Sequence, residues 1–317
     1  MNNKKILILE GGYNEEHDVS LKTSTEIQKV LRQNKIKYAK LRVNPKNFEN
    51  KILKYKNFVC FNALHGPYGE DGQIQKILNK YKIKYTHSGS RSSKICFDKF
   101  KSKQIILDNK ILTPKSIIIK ISDLDMNKVL EIKKKFNKFI IKPNNSGSSF
   151  GIQIVKSKKE LKNFLKNMNI FKMKLSNHKK FIVEEYIEGQ ELTVSTINFS
   201  NKIEALGVTE IKHDKSFFDY KSKYSKGLAR HILPAKINNK NYKKCLNLAI
   251  KAHFLLGCKS IARTDFILNK KNNKIYFLET NSQPGLTSLS LLPEQAKYKK
   301  ISFSKIILSI IQNAINE

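Results

Sequence analysis

The feature that most constrains this chain is its opening alternation of short apolar runs with stretches of helical periodicity, each run ending in a glycine-punctuated loop. Lys5 to Leu9 ends at Gly11-Gly12, and Ile27, Val30 and Leu31 then recur at helical spacing. Tyr38 to Val43 alternates as a strand does. Phe58 to Leu64 is a second apolar run, and it leads into His65-Gly66-Pro67-Tyr68-Gly69-Glu70-Asp71-Gly72. Ile74 to Leu78 is helical, and Ile83 to Thr86 makes a further short strand. Strand–helix alternation predicts an α/β unit with a parallel sheet and helices on its faces. Glycine loops at the C-terminal ends of such strands are where open sheets place ligands.

A chain of 317 residues corresponds to about two domains, or three small ones. The pattern shifts near Gly89 and again near Glu184, predicting units over 1–88, 89–183 and 184–317. In the central unit, Ser90 to Asp108 reads as one basic amphipathic helix, broken by Thr113-Pro114. Strands follow at Ser116 to Ile121, Phe139 to Lys142, Ile152 to Val155 and Lys180 to Ile187. In the last unit, Leu192 to Phe199 and Ile203 to Ile211 read as antiparallel strands. Tyr242 to Leu256 is helical, and Ser260 to Leu268 and Lys274 to Glu279 are strands joined by a polar turn. Residues 212–236 lack periodicity, and a loop of that length inside a compact domain is often a functional lid.

Lys plus Arg number 61 against 26 Asp plus Glu, a formal charge of +35. Nucleic-acid readout favours arginine, yet only Arg32, Arg42, Arg91, Arg230 and Arg263 are present. The remaining basic residues are lysines dispersed along the chain, so a solvated basic surface is expected and a specific nucleic-acid partner is not. No apolar run approaches the roughly 18 residues of a membrane span; the richest, Ile301 to Ile315, is interrupted by Lys305 and Gln312. Ile6 to Leu9 is too short for the core of a secretory signal. Cys60, Cys96, Cys245 and Cys258 lack C-x-x-C spacing, which fits a reducing cytoplasm better than a disulfide scaffold or zinc ribbon.

Four constellations carry chemistry. Asn144 to Gly151 is a small-residue loop between two strands, preceded by Lys142; it suits close approach of backbone N–H groups to a phosphate, and equally a plain hairpin turn. Arg263 and Asp265 stand two apart on one strand, Glu279 and Asn281 two apart at the end of the next. Period 2 puts each pair on one face. If the strands pair, three oxygen side chains without His or Cys converge, a set suited to Mg²⁺. Glu184, Glu185 and Glu191 flank a strand end, as ribose or metal contacts or as solvated surface. His65 and Glu16 sit in the two glycine loops. The other histidines, His231 among them, show no ligand spacing and no role is expected of them.

These segments together resemble the D-alanine–D-alanine ligases of the ATP-grasp superfamily. The resemblance rests on E-G-G-Y-N-E-E-H-D-V-S-L (10–21), A-L-H-G-P-Y-G-E-D-G (63–72), F-D-K-F-K-S-K (97–103) and I-I-K-P-N-N-S-G-S-S-F-G (140–151). It continues in V-E-E-Y-I-E-G-Q-E-L-T-V (183–194), F-F-D-Y-K-S-K-Y (217–224), A-R-T-D-F (262–266) and L-E-T-N-S-Q-P-G-L-T-S-L-S-L-L-P (278–293). It implies a three-domain ATP-grasp architecture with a Rossmann-like N-terminal domain, ATP lying between the second and third domains. The implied activity is ADP-forming carbon–nitrogen ligation of two D-alanines through a D-alanyl phosphate, for peptidoglycan precursors, in the cytoplasm, by a homodimer. Lys99 and Lys142 would contact nucleotide phosphates under a loop containing Ser146, Gly147, Ser148 and Ser149, with Glu184, Glu185 and Glu191 on the nucleotide side. Asp265, Glu279 and Asn281 would hold two Mg²⁺, with Mn²⁺ as a substitute. Glu16 would anchor the ammonium of the first D-alanine beside His65, and Arg263 would stabilise the transferring oxygens. Lys223, Gly285, Ser290 and Leu291 would shape the second site, and Tyr224 would bridge Ser148 and Glu16 to pin the 212–236 loop. Ser146 and the stretch Ser225 to His231 depart from the family pattern. The competing readings are a depsipeptide-forming ATP-grasp ligase and a basic binding protein on a decayed scaffold.

Overall fold

The structure is a computed structural model that describes residues 4–147, 151–213 and 229–316. Its N-terminal sheet is parallel, in the order β2 (Tyr38–Val43), β1 (Lys5–Gly11), β3 (Phe58–Asn62). Ile6, Leu7, Ile8 and Leu9 are all buried, because a central parallel strand is covered on both faces and so needs a continuous apolar run. On one face lie Ile27, Val30 and Leu31 of α1 (His17–Gln33). Sharing that core is the C-terminal helix α10 (Phe303–Asn316), which buries Ile306, Ile307, Ile310 and Ile311. The two chain ends are thereby joined in one core. The other face packs on α2 (Phe48–Ile52) and α3 (Gln73–Lys80). The short strand expected at Ile83 to Thr86 is reduced to one bridge between Cys60 and Tyr85.

The second sheet is antiparallel, ordered β4 (Ser116–Lys120), β7 (Lys180–Glu185), β5 (Phe139–Pro143), β6 (Gln153–Val155). It packs against α6 (Met126–Phe136) and α7 (Lys158–Lys174). The third is also antiparallel, ordered β10 (Ala229–Ile232), β9 (Lys202–His213), β8 (Gly189–Phe199), β11 (Ile261–Asn269), β12 (Ile275–Asn281). Against it lie α8 (Asn239–Leu255) and α9 (Leu291–Tyr298).

Three expectations are corrected. The helix expected over Ser90 to Asp108 is two, α4 (Ser90–Phe97) and α5 (Lys99–Asp108). Asp98 between them is extended, with φ −92° and ψ 98°, and its carboxylate caps α5 by accepting from Lys101 N at 3.0 Å. These helices, expected in the central unit, bury Ile95, Cys96 and Ile106 in the core of the third sheet. The loop expected over 212–236 is not wholly loop, because β10 pairs with β9 from Ala229 to Ile232.

Candidate functional site

A cavity of about 260 Å³ opens where the three sheets meet. It is lined by Glu16 and His65 of the first, by Ser146 and Gly147 of the loop after β5, and by Arg263, Asp265, Glu279 and Asn281 of the third. Lys99, Glu191, Gly285, Ser290 and Leu291 complete the expected residues that line it. Ser148, Ser149, Lys223 and Tyr224 lie outside the described residues.

The acidic face is set by strand register. Asp265 of β11 stands opposite Glu279 of β12, and Arg263 opposite Asn281. The Arg263 guanidinium grips Asp265 with two bonds, Nε to Oδ1 at 3.0 Å and Nη2 to Oδ2 at 2.8 Å. Thr193 on β8 donates to the same Oδ1 at 2.6 Å. Lys99, at the start of α5, reaches Glu279 Oε2 at 3.2 Å and donates to Ser146 O at 2.5 Å. Its backbone is tied to the small-residue loop as well. Phe100 N donates to Asn144 Oδ1 at 2.9 Å, and Asn144 Nδ2 donates to Asp98 Oδ1 at 2.8 Å. Among the described residues no three His, Cys, Asp or Glu side chains gather into a metal cluster. The set is two carboxylates and an amide oxygen. That composition fits Mg²⁺, which keeps positions for water and phosphate oxygens.

At the N-terminal end, Glu16 is buried at the start of α1. Gly66 packs against it: its φ is +72°, and an added Cβ would lie 2.3 Å from Glu16 Oε2. A side chain there meets both backbone strain and the carboxylate. An added Cβ on Gly147 would lie 3.5 Å from the same oxygen, so the loop after β5 reaches this glutamate. His65 is held between Thr23 Oγ1, 2.9 Å from Nε2, and Glu70 Oε1, 3.3 Å from Nδ1.

No local pattern marks the clasp that brings these ends together. Gln283 Nε2 donates to Leu64 O at 2.6 Å, while Asn62 Nδ2 donates to Gln283 Oε1 at 2.9 Å. Both side chains are buried. They fasten the segment after β12, which carries Gly285, Ser290 and Leu291, onto the end of β3. Ser290 precedes α9, and its hydroxyl accepts from Thr287 N at 3.1 Å. His231, of which no role was expected, lines the cavity, with Nδ1 2.8 Å from Glu294 Oε2 on α9.

Lys142, Glu184 and Glu185 are the described expected residues that do not line the cavity. Successive residues of β7 face opposite ways, and the Glu185 carboxylate accepts from Lys115 N at 2.9 Å. Glu184 is buried between two ammonium groups: Lys103 Nζ is 2.8 Å from Oε1 and Lys142 Nζ 2.8 Å from Oε2. Burial pushes its pKa up, but the two lysines outweigh burial and bring it down to about 2. For Lys103 burial wins and lowers the pKa to about 8, while for Lys142 the charges of Glu184 and Glu279 outweigh burial and raise it. Lys103 was not among the expected site residues. Its four-residue spacing from Lys99, which stacks the two on one helix face, is the signal that could have found it.

Residues 111–312 match the family described as D-ala D-ala ligase C-terminus. The D-alanine–D-alanine ligase of Pelagibacter ubique (strain HTCC1062) is 42% identical over 314 residues, covering 98% of this chain and 98% of its own. Among solved structures, the Bacillus anthracis D-alanine–D-alanine ligase complexed with ATP superposes with TM-score 0.80 at 28% identity, over 100% of this chain and 98% of its own. The VanG D-Ala:D-Ser ligase from Enterococcus faecalis superposes with TM-score 0.80 at 26% identity, over 98% of this chain and 99% of its own.

Proposed function

The chain belongs to the D-alanine–D-alanine ligase family, and from that premise we infer how its residues divide the ATP-dependent joining of two D-alanines for peptidoglycan synthesis. The observation that carries the reading is the convergence on one cavity of Glu16, Lys99, Arg263 and the facing Asp265–Glu279 and Arg263–Asn281 pairs.

A carboxylate is a poor acyl donor because its leaving group would be oxide. Phosphorylation by ATP gives D-alanyl phosphate, from which phosphate departs when the neutral amine of a second D-alanine attacks. The protein's part is positioning and charge neutralisation. Glu16 holds the ammonium of the first D-alanine, with His65 beside it. Lys99 and Lys142 meet nucleotide phosphates, under the loop of Ser146, Gly147, Ser148 and Ser149. Glu184 and Glu191 lie on the adenosine side. Arg263 steadies the oxygens that gain charge, and Gly285, Ser290, Leu291 and Lys223 shape the acceptor site. Asp265, Glu279 and Asn281 would hold Mg²⁺, two ions or Mn²⁺ in their place, which supplies charge neutralisation at the phosphate oxygens when bound. Tyr224 and Ser148, outside the described residues, keep the role that the family resemblance implies, a link to Glu16 that would hold water out.

Among the described residues no helix is long and apolar enough to cross a membrane. Together with four free, buried cysteines, that supports a cytoplasmic enzyme. We assign it a homodimeric state by family resemblance and no specific nucleic-acid partner.

The test is phosphate release from ATP that requires D-alanine, with the dipeptide as product. ATP hydrolysis indifferent to D-alanine would overturn the reading. With D-alanine and D-lactate offered together, dipeptide should dominate near neutral pH, and Tyr224→Phe should raise the D-alanyl-D-lactate share at acidic pH. A predominantly depsipeptide product from the wild type would reassign the acceptor.

A further inference from the structure

Lys103 stands out among the charged groups because it is sealed from solvent, with a side chain 2% exposed, and the reaction as described does not use it. It projects from α5 one turn beyond Lys99 and places its ammonium 2.8 Å from Glu184 Oε1. Phe277 O lies 3.4 Å away, and the Phe277 ring centroid 6.0 Å away. Isolated lysines are almost never fully buried. Lys142 by itself already supplies one countercharge for the single charge of Glu184.

The second lysine has a use if the first must be shared. Lys142 stands at the end of β5, where the small-residue loop begins, and its side chain keeps 11% of its surface open. Lys103 is closed off and holds the opposite carboxylate oxygen. If Lys142 turned toward a phosphate without Lys103 present, Glu184 would be left as an unpaired charge in a dry site. Breaking a buried pair in that way is far costlier than never having formed it.

We propose that Lys103 is a positioning residue for nucleotide binding: it holds the charge of Glu184 in balance so that Lys142 is free to engage the phosphate chain of ATP. The proposal rests on the assignment of Lys142 to the phosphates made above. Lys103 itself touches no substrate. Its influence passes through Glu184 to Lys142. A purely structural lysine would instead support the seam between α5 and β7 without bearing on ATP.

The experiment is a double-mutant cycle on the full-length enzyme, read as KM for ATP and kcat. Lys103→Met should raise KM for ATP roughly tenfold while kcat changes less than about threefold, within the coupling range of contacting charged groups. In a Glu184→Gln background the same change should shift KM for ATP less than about twofold, since no carboxylate is left to compensate. An unchanged KM for ATP in Lys103→Met, or an equal shift in both backgrounds, overturns the proposal. Lys142→Met separates the layers. If it raises KM for ATP and Lys103→Met does not, the positioning role alone fails. If Lys142→Met leaves KM for ATP unchanged, the phosphate assignment fails and this role with it.

Should Lys103→Met not fold, the wild type supplies an independent reading. Burial lowers the Lys103 pKa to about 8; of the charged groups around it, Glu184 on β7 and Glu279 on β12 oppose that shift and Lys142 on β5 adds to it. KM for ATP should therefore rise as pH passes upward through about 8, and Glu184→Gln should remove that limb. A wild-type KM for ATP that is flat across the same range overturns the proposal.

Discussion

Glu184 and the facing Asp265–Glu279 pair are both carboxylates carried on β-strands, yet their charges are balanced differently. Glu184 has a lysine on each oxygen, and one of those lysines is sealed inside the protein. The carboxylate's charge is countered before any ligand arrives. Asp265 is gripped by Arg263, and Glu279 is approached by Lys99 at the longer distance of 3.2 Å. Both of these acids, and both of those bases, line the cavity. Internal pairing makes Glu184 part of the framework. The open pair keeps its charge where a cation and phosphates can use it.

The sharpest way to break this comparison is to neutralise one member of each centre. Glu279→Gln should cut turnover by about 10²- to 10³-fold, the rate equivalent of several kcal/mol of lost charge stabilisation. Its melting temperature should stay near wild type, because little volume changes at a partly open site. Wild-type turnover at limiting Mg²⁺ would remove Glu279 from the metal set.

Glu184→Gln should do the opposite to stability. It leaves two lysines facing each other in a buried site, at a cost of about 3–5 kcal/mol. Urea denaturation measures this directly, and the midpoint should fall well below that of Glu279→Gln. Equal midpoints for the two variants would erase the distinction between framework and working carboxylates.

Acid separates the framework groups further. Glu184 has its folded pKa at about 2, below the usual 4.5, so its stabilisation is present above pH 4.5 and is lost as pH falls toward 2. His87 and His253 are buried, and desolvation lowers their pKa values from 6.5 to about 3 and about 4. Below pH 6.5 the unfolded chain binds protons that the folded chain refuses, so stability falls by about 1.4 kcal/mol per pH unit for each histidine. Stability between pH 6.5 and 4.5 should thus follow the histidines. His87→Phe should flatten the curve there, and Glu184→Gln should not. A slope unchanged by His87→Phe would show that another group carries it.

The smallest expected effect concerns Thr193, whose hydroxyl donates to Asp265 at 2.6 Å. Thr193→Val keeps the shape and removes the donor. A loss of about 1–2 kcal/mol in stability is expected, with a severalfold rise in the Mg²⁺ concentration needed for half-maximal activity. Unchanged Mg²⁺ dependence would mean that Arg263 alone orients Asp265.

The parts of the site legible in the sequence are those that local periodicity fixes. Asp265, Glu279 and Asn281 could be placed on common faces because strand residues alternate, and the structure pairs them in register. Glu16 and His65 follow apolar strands into glycine loops, and both reach the cavity. The break at Asp98 was less legible. The pattern runs on through it, and the extended residue is held by Asn144, 46 residues away. β10 was hidden because four residues in a polar stretch form a strand only where β9 offers a free edge.

The sequence by itself determined most of the strands and helices, that a parallel unit opens the chain, and which oxygen side chains share a strand face. These follow from the geometry of one or two turns of backbone, which any window of the sequence contains. Only the tertiary structure decided that Lys103 would be dry, that Gln283 would clasp Asn62, and that His231 would reach the cavity. A side chain's desolvation and partner depend on what distant segments bring against it: Lys103 meets Glu184 across 81 positions of sequence, and Asn62 meets Gln283 across 221. Lysine and glutamine read as surface residues until packing removes their water.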